Sequence, residues 1–332
     1  MTQWIARVVA GLVLVLGSAP FLQAQTPDGA ALYKRTCAQC HDTGANRAPN
    51  RGAILSLPAE RVMSAMETGS MITMANGRSA VERRAIAEFL TGKSLSNPVV
   101  TTPAPAAMCS GQSAFSTSAG PRWTGWGQNA SNTRFQDAAS AGLSAADIPR
   151  LRLKWAFAFP GDLQSYSQAS IVGGRVFVGS WGGTVYSLNA ATGCIHWFFN
   201  AGLGVRSAVT VVRVDMPDGA RDVAFFGDSG ANVHALDAAS GKPLWKTDVD
   251  DFPVGRISGS PTYHNGRVYV GVTSGEEAAG AVPTYECCKF RGSVVALDAA
   301  TGRQIWKSYT IPELPMPTKK NAVGTQLYGP SG

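Results

Sequence analysis

At 332 residues, 45% of them hydrophobic and 15% charged, the chain can build two domains with cores of their own; neither a disordered protein nor a multispanning membrane protein fits. The net charge of +7 comes from scattered basic residues, and no stripe concentrates Lys and Arg, which excludes nucleic acid as a partner.

Residues 1–24 read as a secretory signal peptide. Arg7 precedes the apolar run Val8 to Leu16, and a small-residue cleavage site follows at Leu22-Gln23-Ala24. That run is too short to cross ~30 Å of hydrocarbon, so no stable membrane span is expected. A cleaved signal makes the mature protein periplasmic or secreted, where disulfides persist.

Residues 25–93 form a small all-α unit. Ala30 to Thr36 predicts a short helix leading into cysteines, and Ala80 to Thr91 predicts a second one, with Val81, Ala85, Ile86 and Phe89 on one face. Ser79 with Glu82 is a capping-box start for it. Cys37-Ala38-Gln39-Cys40-His41 is a covalent haem attachment motif: two thiols three residues apart each add to one vinyl group, and His41 becomes an axial ligand of the iron. Half a zinc site or a redox dithiol would not need His41, and the unit has no second cysteine pair. With no second His here, the sixth ligand is a methionine. Met63, Met66, Met71 and Met74 are available, and the last two precede the final helix in a Gly-containing loop. The segment resembles class I cytochromes c, and their spacing selects Met71, with Met74 as the alternate. Thioether ligation raises the iron potential.

Residues 94–120 are rich in Pro, Ala, Ser and Thr and read as a linker. From 121 to 332 the pattern becomes short strands with Gly turns. Asn189-Ala-Ala-Thr-Gly193 leads to Trp197, Asp237-Ala-Ala-Ser-Gly241 to Trp245, and Asp298-Ala-Ala-Thr-Gly302 to Trp306. Each turn follows an alternating strand (Thr184 to Leu188, Asn232 to Leu236, Ser293 to Leu297). In each turn Asn or Asp caps, Gly takes positive φ and Trp packs between units. Trp155, within Leu151 to Phe159, reads as the Trp strand of an earlier unit. Multistranded repeats of ~40–60 residues specify a β-propeller. Three to four blades fit before Gly332, whereas closed propellers have ~4–8, so the ring is expected to be incomplete and the chain truncated.

The stretches WTGWGQNASNTRFQ, LKWAFAFPG, GGRVFVGS and ECCKFRGSVVALDAATGRQIWK resemble polyvinyl-alcohol dehydrogenases. These are quinohaemoproteins that join a cytochrome c domain to an eight-bladed pyrroloquinoline quinone (PQQ) propeller. The resemblance implies haem c, PQQ and calcium as cofactors. It matches Arg206 to the arginine that pairs with the quinone, and Ser258 to a PQQ-binding Thr. It places Ser274 and Gly275 against PQQ and Glu277 on calcium, although counting from Gly271 selects Glu276 instead. Adjacent Cys287 and Cys288 suggest a vicinal disulfide stacking on PQQ. In the related enzymes, however, that pair lies six residues before the matched arginine, where this chain has Asn200-Ala201. Pairing either cysteine with Cys109 or Cys194 is the alternative; Cys109 with Cys194 leaves no odd thiol. Tyr166 stands about where the relatives have a PQQ-binding Glu. Their catalytic base, their Asn calcium ligand and the Trp beneath the quinone belong to later blades, so the base lies beyond residue 332.

The reading is therefore a periplasmic PQQ alcohol dehydrogenase that oxidises secondary alcohols, a soluble polymer among them. Electrons pass to haem c and on to a downstream periplasmic acceptor, a cytochrome or oxidase. One alternative is haem c electron transfer alone; another is a non-catalytic propeller scaffold, similar to outer-membrane assembly propellers.

Overall fold

The computed structural model describes residues 27–332 apart from 46–47, 68–70, 76, 96–101, 112–113, 119, 121, 129–130, 132 and 163–164, and apart from the side chains of 72 and 73. The expected signal peptide and its cleavage site lie outside the described residues.

Among the described residues, six α-helices make the first unit. Asp28 caps α1 (Gly29–Thr36) by accepting from the N–H groups of Ala30 and Ala31. Then follow α2 (Ala38–His41), α3 (Arg51–Leu55), α4 (Ala59–Glu67), α5 (Ile72–Ala75) and α6 (Ala80–Thr91). The Ser79–Glu82 capping box is present, and α6 ends on Gly92 at φ 63°. The buried face of α6 differs from the sequence expectation: Arg83, Ile86, Ala87 and Leu90 are buried, while Val81, Ala85 and Phe89 are only partly so. α6 is gripped by α1 on one side and α4 on the other, so the stripe that packs lies between the two contacts. Gly29 lets α1 approach the Ala85 carbonyl, a place no Cβ could occupy. Leu32, Tyr33, Ile54, Val62 and Met66 complete this core.

The Pro- and Ser-rich stretch is stapled to the propeller rather than free. A 3₁₀ turn at Pro105–Ala107 leads to a Cys109–Cys194 disulfide, Phe115 packs edge-on to Phe177, and Thr117 Oγ1 donates to Asp222 at 2.7 Å. Composition shows that such a segment cannot build its own core, but not that it can borrow one.

Short helical turns, α7 (Ala138–Ala141) and a 3₁₀ segment at Ala145–Arg150, precede three antiparallel blades. The first is β1 (Ser170–Val172), β2 (Arg175–Gly179), β3 (Thr184–Asn189) and β4 (Ile195–Asn200). The second is β5 (Thr210–Val214), β6 (Arg221–Gly227), β7 (Asn232–Asp237) and β8 (Pro243–Asp248). The third is β10 (Thr262–His264), β11 (Arg267–Ser274), β12 (Ser293–Asp298) and β13 (Gln304–Tyr309), with β9 (Gly255–Arg256) added beside β11 and a helical turn α8 (Glu276–Ala279) after it. A hairpin of β14 (Met316–Lys320) and β15 (Gln326–Gly329) follows.

Period-2 geometry builds the interblade cores. Along β6, Val223 and Phe225 face the third blade, while Ala224 and Phe226 face the first. A central blade is thus buried on both faces, and β6 is apolar without a break from Val223 to Phe226.

The repeated turns behave as expected. Gly193, Gly241 and Gly302 hold φ of 77°, 73° and 72°, and Asn189, Asp237 and Asp298 accept the backbone N–H groups of their own turns. Trp155, Trp197 and Trp245 lie on those glycines and donate Nε1–H to Ala190, Ala238 and Ala299 at 3.1, 3.0 and 3.0 Å. Leu151 to Phe159, however, is not a strand: among the described residues no ladder partner lies beside it, and side-chain packing of Trp155, Phe157 and Phe159 alone holds it to the first blade.

Candidate functional site

Cys37 closes α1 and opens α2, which carries Cys40 and His41; Cys37 and Cys40 are free thiols, both partly buried. Burial pushes the Cys37 thiol up, against the pull of Arg78, with Cys40 adding to the rise. His41 is buried, and its Nδ1 lies 2.7 Å from the Pro49 carbonyl oxygen. A carbonyl can only accept, so Nδ1 donates here, and in the neutral ring that tautomer leaves the lone pair on Nε2. Two thiols and a pre-oriented imidazole fit a covalently held haem. Met63 and Met71 pack partly buried against this core, Met66 lies within it, and Met74 stands 60% exposed.

The second site forms where the three blades meet. Arg206 lies on the connection from the first blade to the second, Ser258 on that from the second to the third, and Ser274 closes β11. With Glu276, Glu277 and Cys288 they line one cavity of about 740 Å³. Gly275 sits behind its wall, against the Arg256 side chain, and Cys287 is joined to Cys288. Arg206 and Ser258 also line an adjoining cavity of about 560 Å³ with Trp126, Tyr166 and Tyr263. The Arg206 guanidinium lies over the Tyr166 ring, 5.5 Å from its centroid. Tyr166, which stands about where the resemblance places a PQQ-binding Glu, is thus an aromatic neighbour of Arg206. Ser258 Oγ is 3.0 Å from Thr273 Oγ1, and this hydroxyl pair faces the larger cavity. A guanidinium, hydroxyls and an apolar floor fit a planar, anionic quinone.

The two glutamates have separate environments. Glu276 is buried; its carboxylate accepts from Phe290 N–H at 2.7 Å, Lys289 N–H at 2.9 Å and Tyr285 Oη at 3.0 Å. That set pins the loop carrying Cys287 and Cys288. Burial and this hydrogen bond both push the Tyr285 hydroxyl up. Glu277 is 75% exposed, and Arg256 Nη2 donates to it at 3.1 Å. Among the described residues no three His, Cys, Asp or Glu side chains converge as a metal cage. Calcium takes 6–8 oxygens, so a calcium held at the Glu277 carboxylate would need oxygens beyond those these residues bring together.

Sequence reasoning passed over Arg256, which lines the same cavity. Nothing in its spacing marks it; only the pairing of β9 with β11, Arg256 opposite Thr273, carries it there.

Residues 124–313 match a PQQ-type propeller family described as outer membrane protein assembly factor BamB. The chain belongs to this PQQ-type propeller family. Residues 24–90 of this PQQ-type propeller chain match a second family, described as cytochrome c oxidase, cbb3-type, subunit III. It is 41% identical to a polyvinylalcohol dehydrogenase of a Pseudomonas species over 98% of this chain and 53% of that protein. It is 42% identical to a polyvinylalcohol dehydrogenase of Sphingopyxis strain 113P3 over 92% of this chain and 48% of that one. A lanthanide-dependent methanol dehydrogenase of Methylacidiphilum fumariolicum is 29% identical over 57% and 30% of the two chains. The chain thus spans about half the length of the polyvinylalcohol dehydrogenases it matches. The resemblance stated from its motifs holds, and a cytochrome module joined to a PQQ-type propeller agrees with haem c and PQQ as cofactors. No helix among the described residues is long and apolar enough to cross a membrane.

Proposed function

We propose that this chain is the cytochrome and cofactor-binding part of a periplasmic PQQ alcohol dehydrogenase that oxidises secondary alcohols, including those of a soluble polymer. The observation that carries the reading is the convergence of Arg206, Ser258, Ser274 and Cys288 on one cavity, in a chain that also holds free Cys37 and Cys40 beside a buried His41. When bound, the quinone accepts two electrons from an alcohol and the haem iron accepts them singly.

The residues have these roles. Arg206 places positive charge beside the quinone oxygens, where negative charge builds during reduction. Ser258 and Ser274 position the ring from the cavity wall, with Gly275 directly behind it and Cys288, joined to Cys287, at its edge. Glu277 gives one carboxylate to the cation, because Glu276 is already committed to the loop. Cys37 and Cys40 would tether the haem, His41 Nε2 and Met71 would ligate its iron, and a periplasmic cytochrome or oxidase would take the electrons onward.

The test is alcohol-dependent haem reduction by the full-length protein with PQQ and calcium. A secondary alcohol should reduce the haem only when PQQ is present. Stable PQQ binding without reduction would leave haem c electron transfer as the function, and no response of absorbance or stability to PQQ would leave the scaffold reading.

A further inference from the structure

Arg256 stands on β9, whose pairing with β11 sets its backbone directly opposite Thr273. Its Nε donates to the Ser274 carbonyl at 2.9 Å, which anchors the guanidinium at the cavity wall. Gly275 is packed against it so closely that a Cβ there would lie 2.6 Å from Nη2. The Gly of the Ser-Gly-Glu stretch is thus the residue that admits this side chain. Among the described residues the carboxylate paired with it is Glu277, which is 75% exposed, and an ion pair so open to water is weak and exchangeable. Three guanidinium N–H groups remain beyond the Ser274 and Glu277 bonds, on a group that lines the same cavity as Arg206.

We infer that Arg256 is a second anion-binding residue of this cavity, and that its fork takes a carboxylate of the bound ligand in exchange for Glu277. The inference rests on the quinone reading above. PQQ is a tricarboxylate, ionised at neutral pH, so Arg206 together with a calcium that already carries the Glu277 carboxylate would still leave negative charge on the ligand uncompensated in a partly dry site. A second fork, held at Nε and free to pivot at Nη2, supplies bidentate recognition that lysine cannot.

The test is equilibrium binding of PQQ and of its trimethyl ester to the full-length protein in calcium buffer, followed by quenching of tryptophan fluorescence. Arg256→Gln should weaken PQQ about tenfold or more, as expected for removing a charge-assisted bond, and leave the ester nearly unaffected. Arg256→Lys should fall between, and it carries the test if the glutamine variant does not fold. Equal losses for acid and ester, or no loss for either, would overturn the assignment. If the unaltered protein bound neither ligand, the quinone reading itself would fall, and this one with it.

Discussion

Trp245 of the second blade lies flat on Gly302 of the third and donates its Nε1–H to the Ala299 carbonyl at 3.0 Å. A Cβ on Gly302 would stand 2.6 Å from the indole, and the backbone there has φ 72°. Gly302→Ala therefore meets steric overlap and a left-handed backbone together, and should cost about 2–4 kcal/mol. Thermal unfolding measures it. Gly266→Ala, at φ 72° with nothing within 4 Å, is the control that keeps only the backbone cost, about 1–2 kcal/mol.

The Cys109–Cys194 disulfide closes a loop of 85 residues and anchors the Pro-rich segment to the first blade. Replacing either cysteine by Ser should lower stability by roughly 2–5 kcal/mol, as chain entropy returns to the unfolded state. The same variants should make residues 102–118 a preferred cleavage site for a protease at low dose. Unchanged cleavage would show that Phe115 and Thr117 hold the segment without the disulfide.

The blades were legible because each turn states its chemistry locally: a capping Asn or Asp, a Gly at positive φ and a Trp four residues on. The haem site was legible for the same reason, since Cys37, Cys40 and His41 are neighbours in sequence. Arg256 was not, because its role depends on a cross-strand partner, Thr273, that no local pattern reveals. Nor could sequence divide the adjacent glutamates: Glu276 turns inward to the N–H groups of Lys289 and Phe290, and that closure belongs to the loop's path. Trp306 shows the same logic from the other side. It repeats the motif, yet among the described residues no turn covers it, and it stands 38% exposed.

The division between Glu276 and Glu277 predicts opposite phenotypes. Glu276→Ala leaves the buried Phe290 N–H, the part-buried Lys289 N–H and the Tyr285 hydroxyl without their acceptor, and should cost about 2–4 kcal/mol in stability with loosening of the Cys287–Cys288 loop. Glu277→Gln should change stability by no more than about 0.5 kcal/mol, since its ion pair is exposed. It should instead raise the calcium concentration needed for PQQ to bind. A calcium requirement that moves with Glu276→Ala alone would reverse the assignment.

Met71 and Met74 can be separated in the haem-loaded protein. Met71→Ala should abolish the charge-transfer band of a thioether–iron bond and lower the haem potential, while Met74→Ala, at an exposed position, should leave both unchanged. The covalent haem should survive both, because Cys37, Cys40 and His41 are untouched. Retention of the band in Met71→Ala with its loss in Met74→Ala would transfer the ligand to Met74.

Asp228 is fully buried in the second blade, between β6 and β7. Its carboxylate accepts from the backbone N–H groups of Gly230 and Asn232, from Asn232 Nδ2 and from His234 Nε2 at 2.8 Å. Burial pushes the carboxyl up, but the His234 and Asn232 hydrogen bonds outweigh it and hold it below the usual carboxylate range. A depressed folded value means the unfolded chain takes up a proton first on acidification. The stabilisation is therefore complete above about pH 4 and is lost as the pH falls through the lower folded value. Asp228→Asn should flatten the acid limb of the stability curve below pH 4 and lower the plateau near neutrality by about 2–4 kcal/mol, because one amide oxygen cannot replace two charged ones among these donors. Urea unfolding at a series of pH values reads both effects, and an acid limb as steep in the variant as in the parent would assign that limb to other carboxylates.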